Sequence, residues 1–214
     1  MIKVIPQFVP SEPFTVLVSG GVDSIAAAHW LKHQYHKKFS ILHFNHRVQP
    51  INDEMRNRVR KFCIDFEIPY DSYFRTDEEC SDLSENGLRQ FRLKVMETIG
   101  GKFVTGHHLN DAVENSMMMM FKGTPEYKPI KEFTQFTEFS IYHPFLKTSK
   151  QDFIDYIDQN DLGKYVVEDP TNNDNTQLRN WIRNIILPEI NTRINMETVV
   201  FKKFYSNKKT TKKI

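Results

Sequence analysis

Short apolar runs alternate along the chain with longer stretches whose apolar residues recur at helical spacing. FTVLV at 14–18, FSILHF at 39–44, YDSYF at 70–74, KFVT at 102–105 and FSIYH at 139–143 predict five strands. Between them, 23–33 reads as a helix with Ala26, Ala27, Ala28, Trp30 and Leu31 as apolar surface, and 52–66 as a polar helix carrying Met55, Val59 and Phe62. Asp82 with Glu85 predicts a capping box, and the helix after it turns Leu88, Phe91, Val95, Met96 and Ile99 to one side. A further helix covers 109–121 and ends near Gly123. Ser149 with Asp152 predicts a second capping box, opening a helix to about Asn160, and a last helix over 176–187 is expected to stop at Pro188.

Strand–helix alternation of this kind predicts an α/β fold: a doubly wound, mostly parallel five-stranded sheet, joined by right-handed crossovers and followed by a short C-terminal helical segment. Three segments are expected: 1–145 holding the sheet, 146–201 as a helical extension, and 202–214 as a tail without fixed structure. Hydrophobic residues at 39% with 17 Phe supply a substantial core and exclude disorder throughout. No apolar run reaches the ~18 residues of a membrane span, so no membrane partner is expected. The first residues lack a charged segment followed by a long apolar one, which argues against a secretory signal. Two cysteines, Cys63 and Cys80, make no disulfide scaffold and suit a reducing cytoplasm. The net charge of +2 is uneven: residues 202–214 hold six Lys and no acid, so the body is mildly acidic. Such a tail is either a solvated end or an added grip on RNA phosphates.

Ligands of parallel sheets sit beyond the carboxyl ends of the strands, so chemistry is sought just after each one. The first strand runs into Ser19-Gly20-Gly21-Val22-Asp23-Ser24. Two glycines permit a tight turn whose amides point inward as an anion nest, the following helix N-terminus adds positive potential, and Ser19 and Ser24 offer hydroxyls. Asp23 repels an anion unless it holds Mg²⁺ that bridges phosphates. An ordinary capped strand–turn–helix is the plainer alternative, and no Walker motif occurs. The six residues together in this context favour nucleotide binding.

SGGVDS resembles the PP-loop of the ATP pyrophosphatase superfamily, which implies cleavage of ATP between its α- and β-phosphates. Further motifs follow in order: His43-Phe44-Asn45-His46-Arg47; Arg89-Gln90-Phe91-Arg92; Gly106-His107-His108-Leu109-Asn110-Asp111-Ala112-Val113-Glu114-Asn115; His143-Pro144-Phe145-Leu146; Glu168-Asp169-Pro170-Thr171-Asn172-Asn173-Asp174; and Arg179-Asn180-Trp181-Ile182-Arg183. Over about 14–190 this ordered set is similar to the tRNA(Ile)-lysidine synthetase family. The resemblance implies that a wobble cytidine of tRNA(Ile) with a CAU anticodon is adenylated by ATP, and that free L-lysine then displaces AMP. Under it, 1–145 is the PP-loop domain and 146–201 completes the synthetase core.

Roles follow from the resemblance. Ser19, Gly20, Gly21, Val22, Asp23, Ser24, His43, Asn45, His46, Gly106 and His107 are expected around ATP, with Asp23 also on Mg²⁺. Asp23, Arg89, Asp111 and Glu114 are expected to be catalytic. Asp111 and Glu114 lie three apart and share a helix face, where two carboxylates suit the lysine ammonium and its deprotonation; a solvated acidic first turn is the alternative. Arg92, His108, Arg179, Asn180 and Arg183 are expected on substrate or tRNA, the alternative for Arg179 and Arg183 being ion pairs to Glu168 or Asp169. His29 and His33 are four apart without an evident third metal ligand. Met117 to Met120 covers all sides of a helix and reads as core filling.

The sequence departs from the family at Asn110, where Asp is frequent, Ala112 for Gln, Asn115 for Thr and Leu93 for Tyr. Many members also carry further C-terminal domains that grip tRNA. Here the basic tail follows instead, leaving either electrostatic substitution by the tail or a shorter core that suffices. A tRNA thiolase is a rival, disfavoured by the absence of paired cysteines; an RNA- or nucleotide-binding remnant without turnover is another.

Overall fold

The computed structural model describes residues 1–124 and 129–206. The elements of the sheet region are β1 (Thr15–Leu17), α1 (Val22–His33), β2 (Ser40–Asn45), α2 (Ile51–Asp65), β3 (Tyr70–Phe74), α3 (Glu85–Ile99), β4 (Gly101–Val104), α4 (Leu109–Phe121), β5 (Phe133–Gln135), β6 (Phe139–Tyr142) and α5 (Lys150–Gln159). The strands form one sheet in the order β3-β2-β1-β4-β6-β5. All neighbours are parallel except β5, which runs antiparallel to β6 with Phe133 opposite Tyr142. The α/β architecture and the parallel sheet agree with the sequence reading. The sixth strand was not expected: three residues at a sheet edge carry too little apolar pattern to announce themselves.

This strand order decides where a ligand sits. From β1 the chain winds outward through β2 to β3, then returns to β4 on the other side of β1 and continues to β6. The winding reverses between β1 and β4, and the crevice beyond their carboxyl ends is the binding place of such sheets. The loops leaving those two strands are the ones with the densest chemistry.

The core beneath the sheet joins Val16, Ile25, Ala27, Leu31, Ile41 and Phe62 with Phe145, Phe153, Ile157 and Tyr165. Helix α5 therefore packs on α1 within the main core, and packing does not part at residue 145. Its N-terminus carries the expected box, Ser149 accepting from the Asp152 amide at 3.1 Å and Asp152 from the Ser149 amide at 3.1 Å. The box expected from Asp82 and Glu85 does not form; a single cap stands two residues after Asp82. Ser84 is the cap, taking the Gly87 amide at 3.1 Å, while Asp82 accepts from Ser84 and folds against Gly87, where a side chain would collide.

A second cluster packs α4 against α6 (Leu178–Trp181), α7 (Leu187–Asn191) and α8 (Met196–Val200) through Leu109, Val113, Met117, Ile182, Leu187 and Val200. Pro188 does not stop the helix as expected. A π-helical turn at Ile182–Ile186 precedes it, and the wider i→i+5 spacing makes room for a ring without an N–H. Another π turn, Phe201–Tyr205, buries Tyr205, whose hydroxyl donates to the Ile130 carbonyl at 2.9 Å. The start of the segment expected to lack structure is thus a packed helix end; residues 207–214, with Lys208, Lys209, Lys212 and Lys213, lie outside the described residues. Met117 is buried and Met120 is 69% exposed, so the methionine run fills the core on one side only. No helix among the described residues is long and apolar enough to cross a membrane.

His29 and His33 stack with centroids 4.2 Å apart, and His29 Nδ1 lies 2.9 Å from the Tyr156 hydroxyl. Among the described residues no group of three metal-binding side chains forms there or elsewhere. Burial, aided by the charge of His33, pushes the His29 ring down to about 4. Unfolding restores a value near 6.5, so the unfolded chain binds the proton first, and stability present above about pH 6.5 is lost as pH falls toward about 4. Urea midpoints should therefore fall between pH 7 and pH 5, and fall less in His29→Leu. Equal falls in both proteins would refute this assignment.

Candidate active site

The turn after β1 is wound around one hydroxyl. Ser24 Oγ accepts the amides of Ser19 at 3.2 Å and Gly20 at 3.3 Å, and donates to the Gly21 carbonyl at 3.0 Å. Gly20 has φ +98°, a backbone conformation that favours glycine, so the tight return needs it there. Gly21 is the N-cap of α1 and Val22 its first residue, and the Gly21 amide rests on Ser19 Oγ at 3.3 Å, so the turn's amides are held by its own hydroxyls at the head of the helix. Gly106, after β4, closes the other side: a Cβ there would sit 3.0 Å from the Asp23 carbonyl oxygen.

Across Gly106 stands the head of α4. His108 caps it, its Nδ1 accepting the Asn110 amide at 3.2 Å, while Asp111 takes the His108 amide at 2.9 Å. With Nδ1 an acceptor, the ring proton sits on Nε2, which lies 3.4 Å from Asp23 Oδ1 and 3.5 Å from Asp111 Oδ2. One imidazole thus bridges the carboxylates of two loops. Burial opposes a charged ring, but Asp111 and Asp23 outweigh it and raise the His108 pKa. Burial likewise works against the Asp23 carboxylate, yet His108 and Lys150 overcome it and hold Asp23 at about 2. Lys150 donates to both Asp23 oxygens, at 2.7 and 2.9 Å.

Asp111 and Glu114 do not present two open carboxylates as expected. Glu114 is buried and takes two hydrogen bonds from Arg183, from Nε at 2.6 Å and Nη2 at 2.7 Å. These bonds keep Arg183 charged. Arg179 pairs with Glu85 at 2.6 Å and reaches within 3.7 Å of Glu114, so neither arginine pairs with Glu168 or Asp169. Asn180 turns away from any ligand: it donates to the Thr171 and Asp174 carbonyls at 2.7 and 3.0 Å and holds that turn. A buried amide with two carbonyls in reach satisfies itself internally.

The end of β2 forms the other flank. His43 Nδ1 donates to the Val18 carbonyl at 2.8 Å, which leaves the buried Nε2 without a partner among the described residues. Arg92 donates to His46 Nε2 at 3.2 Å, and His46 Nδ1 is likewise buried and unpartnered among the described residues. Burial, with the nearby Arg92 charge, pushes His46 down to about 4. Neutral rings with open nitrogens suit a heteroaromatic base. Asn45 instead spends its amide on Asp53 at 2.8 Å and accepts the Arg47 amide at 3.0 Å, shaping the turn. Arg89 is exposed on α3, one turn before Arg92.

Two contributors, Lys150 and Thr105, escaped the sequence reading, and Asn110 was read there only as a departure from the family. Lys150 had a signal: it directly follows the helix cap after the last strand. Asn110 joins α4 to α5, accepting the Lys150 amide at 2.8 Å, and donates to Glu197 at 2.7 Å. Thr105 Oγ1 lies 2.7 Å from His107 Nδ1 and 2.6 Å from His143 Nδ1. Burial holds His143 well below the usual histidine range. Nothing in spacing joins residues 38 positions apart.

Fold and site together define a nucleotide-binding α/β protein with a phosphate loop at the switch point of its sheet. The chain belongs to the PP-loop domain family, whose model matches residues 2–190, and it carries that family's ATP-binding domain. It is 31% identical over 185 residues to a tRNA(Ile)-lysidine synthase of Streptococcus mutans, covering 81% of this chain and 40% of that protein. A tRNA(Ile)-lysidine synthase of Enterococcus faecalis is 29% identical over 189 residues, covering 84% of this chain and 40% of the relative. The chain thus spans about two-fifths of the length of these curated relatives. Among solved structures, the U34-tRNA thiolase NcsA from Methanococcus maripaludis superposes with TM-score 0.72 at 14% identity, covering 93% of this chain and 72% of that one, a likeness of fold.

Proposed function

We propose that this chain is an ATP-dependent ligase that joins free lysine to C2 of the wobble cytidine of tRNA(Ile) with a CAU anticodon, through an adenylated cytidine. The observation that carries the reading is the meeting of the Ser19–Ser24 turn with the head of α4 across Gly106, which sets Asp23 and Asp111 on either side of His108. The names of the relatives point to the same substrate.

In this reading the turn's amides and the α1 N-terminus hold the two outer phosphates, and the inner one faces the cytidine oxygen. His43 and His46 edge the adenine. Mg²⁺, which takes one or two carboxylates plus phosphate oxygens, fits Asp23; bound there it would neutralise charge building on the pyrophosphate. Glu114 acts by fixing Arg183, whose guanidinium serves the RNA, as do Arg89, Arg92 and Arg179. Asp111 receives the lysine ammonium and aids its deprotonation, while the His108 Nε2 proton holds that carboxylate in place. His107 lines the nucleotide side.

Asp111→Ala should raise the lysine concentration needed for half-maximal turnover by about tenfold or more while sparing adenylation, since it removes one charge-assisted contact. Lysine-dependence curves of single-turnover AMP release check this; an unchanged apparent lysine affinity would refute the role.

The reading is tested by mass analysis of the wobble cytidine after incubation with ATP and lysine. A cytidine enlarged by one lysine supports it, and unmodified RNA with intact ATP binding supports a remnant without turnover. A thiolase is disfavoured because Cys63 and Cys80 are both buried, and Cys80 donates its thiol hydrogen to the Asp82 carbonyl at 3.1 Å.

A further inference from the structure

We propose that Lys150 is a phosphate-binding residue of this site, its ammonium resting on Asp23 in the free protein and passing to the polyphosphate when a nucleoside triphosphate enters. The inference rests on the reading that the Ser19–Ser24 turn takes ATP, and goes beyond it by naming the cation that answers the phosphates.

The turn itself carries no positive side chain, while Asp23 and Asp111 add two negative ones. A triphosphate brought here meets repulsion that helix N-termini only partly offset. Among the described residues, the other cations near this centre are held elsewhere. Arg183 is locked to Glu114, which is 2% exposed, and Arg179 to Glu85. Arg92 is turned to His46. Lys150 differs. Its side chain is 40% exposed and that of Asp23 31%, so the pair is solvated and contributes little to stability. Such a pair separates at small cost, whereas the buried Arg183–Glu114 pair does not.

The backbone of Lys150 is fixed while its head rests on a partly solvated carboxylate. It is the first residue of α5, and its amide is bound by Asn110 at the start of α4. Helices α1, α4 and α5 therefore begin around the same concavity, and the four-carbon lysine stem pivots from a held point. A divalent cation that takes Asp23 oxygens competes for the atoms that Lys150 now holds, so binding of metal and phosphate both favour the transfer. A flexible point charge with three donors suits a ligand whose oxygens change position during cleavage.

Calorimetric titration of ATP and of adenosine, each with magnesium, into the whole chain tests this with wild type, Lys150→Met and Lys150→Arg. Loss of one charge-assisted hydrogen bond should weaken ATP binding roughly 10–100-fold in Lys150→Met. Adenosine affinity should be unchanged, and Lys150→Arg should recover most of the ATP affinity. ATP affinity equal to or above wild type in Lys150→Met would overturn the proposal and leave Lys150 a plug on Asp23. Parallel loss of adenosine and ATP affinity would overturn it too, as general damage. If wild type binds adenosine but gains nothing from the phosphates, the reading of the turn falls, and this proposal with it.

Discussion

Asp23→Ala should fold, bind adenosine and release pyrophosphate on the order of 10²–10³-fold more slowly than wild type. The size follows from what meets at this carboxylate. Lys150 lies on both its oxygens and the His108 proton faces one of them. With a value of about 2, Asp23 is fully ionised at neutral pH and available to a divalent cation. Removal deletes that ligand at the point where charge grows on the leaving pyrophosphate. It also frees Lys150 to sit on phosphate early, so ATP affinity should fall far less than turnover. The carboxylate is partly solvated, so the melting temperature should change little. Rapid-quench measurement of adenylated RNA in a single turnover separates these effects, and adenylate formation at the wild-type rate would refute the role given to Asp23.

Arg183→Leu should be the most destabilising single change at the site. It leaves the Glu114 carboxyl buried and short of two hydrogen bonds. Breaking a buried pair costs about 3–5 kcal/mol, and the lower end applies because Arg183 is partly solvated. Arg179 Nε also remains 3.7 Å away. For a chain of this size about 3 kcal/mol corresponds to a fall of roughly 6–12 °C in melting temperature. Adding Glu114→Leu removes the stranded polar group and should restore much of the loss. Thermal melts of the two variants check this, and a melting temperature unchanged in Arg183→Leu would show that the pair is not held as described.

The sheet was legible in the sequence because each parallel strand is a short apolar run followed by an amphipathic stretch. The turn after β1 was legible because Gly20 and Gly21 permit its tight return, and because Asp23 and Ser24 follow at the helix start. Ser149 announced α5 through a local box, and local signals survive folding. What escaped was long-range or edge-bound. β5 has three residues and one neighbour. The helix through Pro188 was missed because a π turn, which leaves no pattern, makes room for the ring. Glu114 with Arg183, and Thr105 with His143, are partnerships made by tertiary packing. The chain reads Asp111 and Glu114 as equals three residues apart; only the arrival of α6 and the π turn after it assigns one to the interior and leaves the other at the His108 ring.

The central claim is that the turn after β1 holds the outer two phosphates of ATP and leaves the inner one to be attacked. Following a label on the α-phosphate tests it most directly. With CAU-anticodon tRNA and no lysine, the label should move onto the RNA while unlabelled pyrophosphate is released, and added lysine should then discharge it as AMP. Label recovered in ADP, with free phosphate as the other product, would place the break at the outer bond and contradict the account.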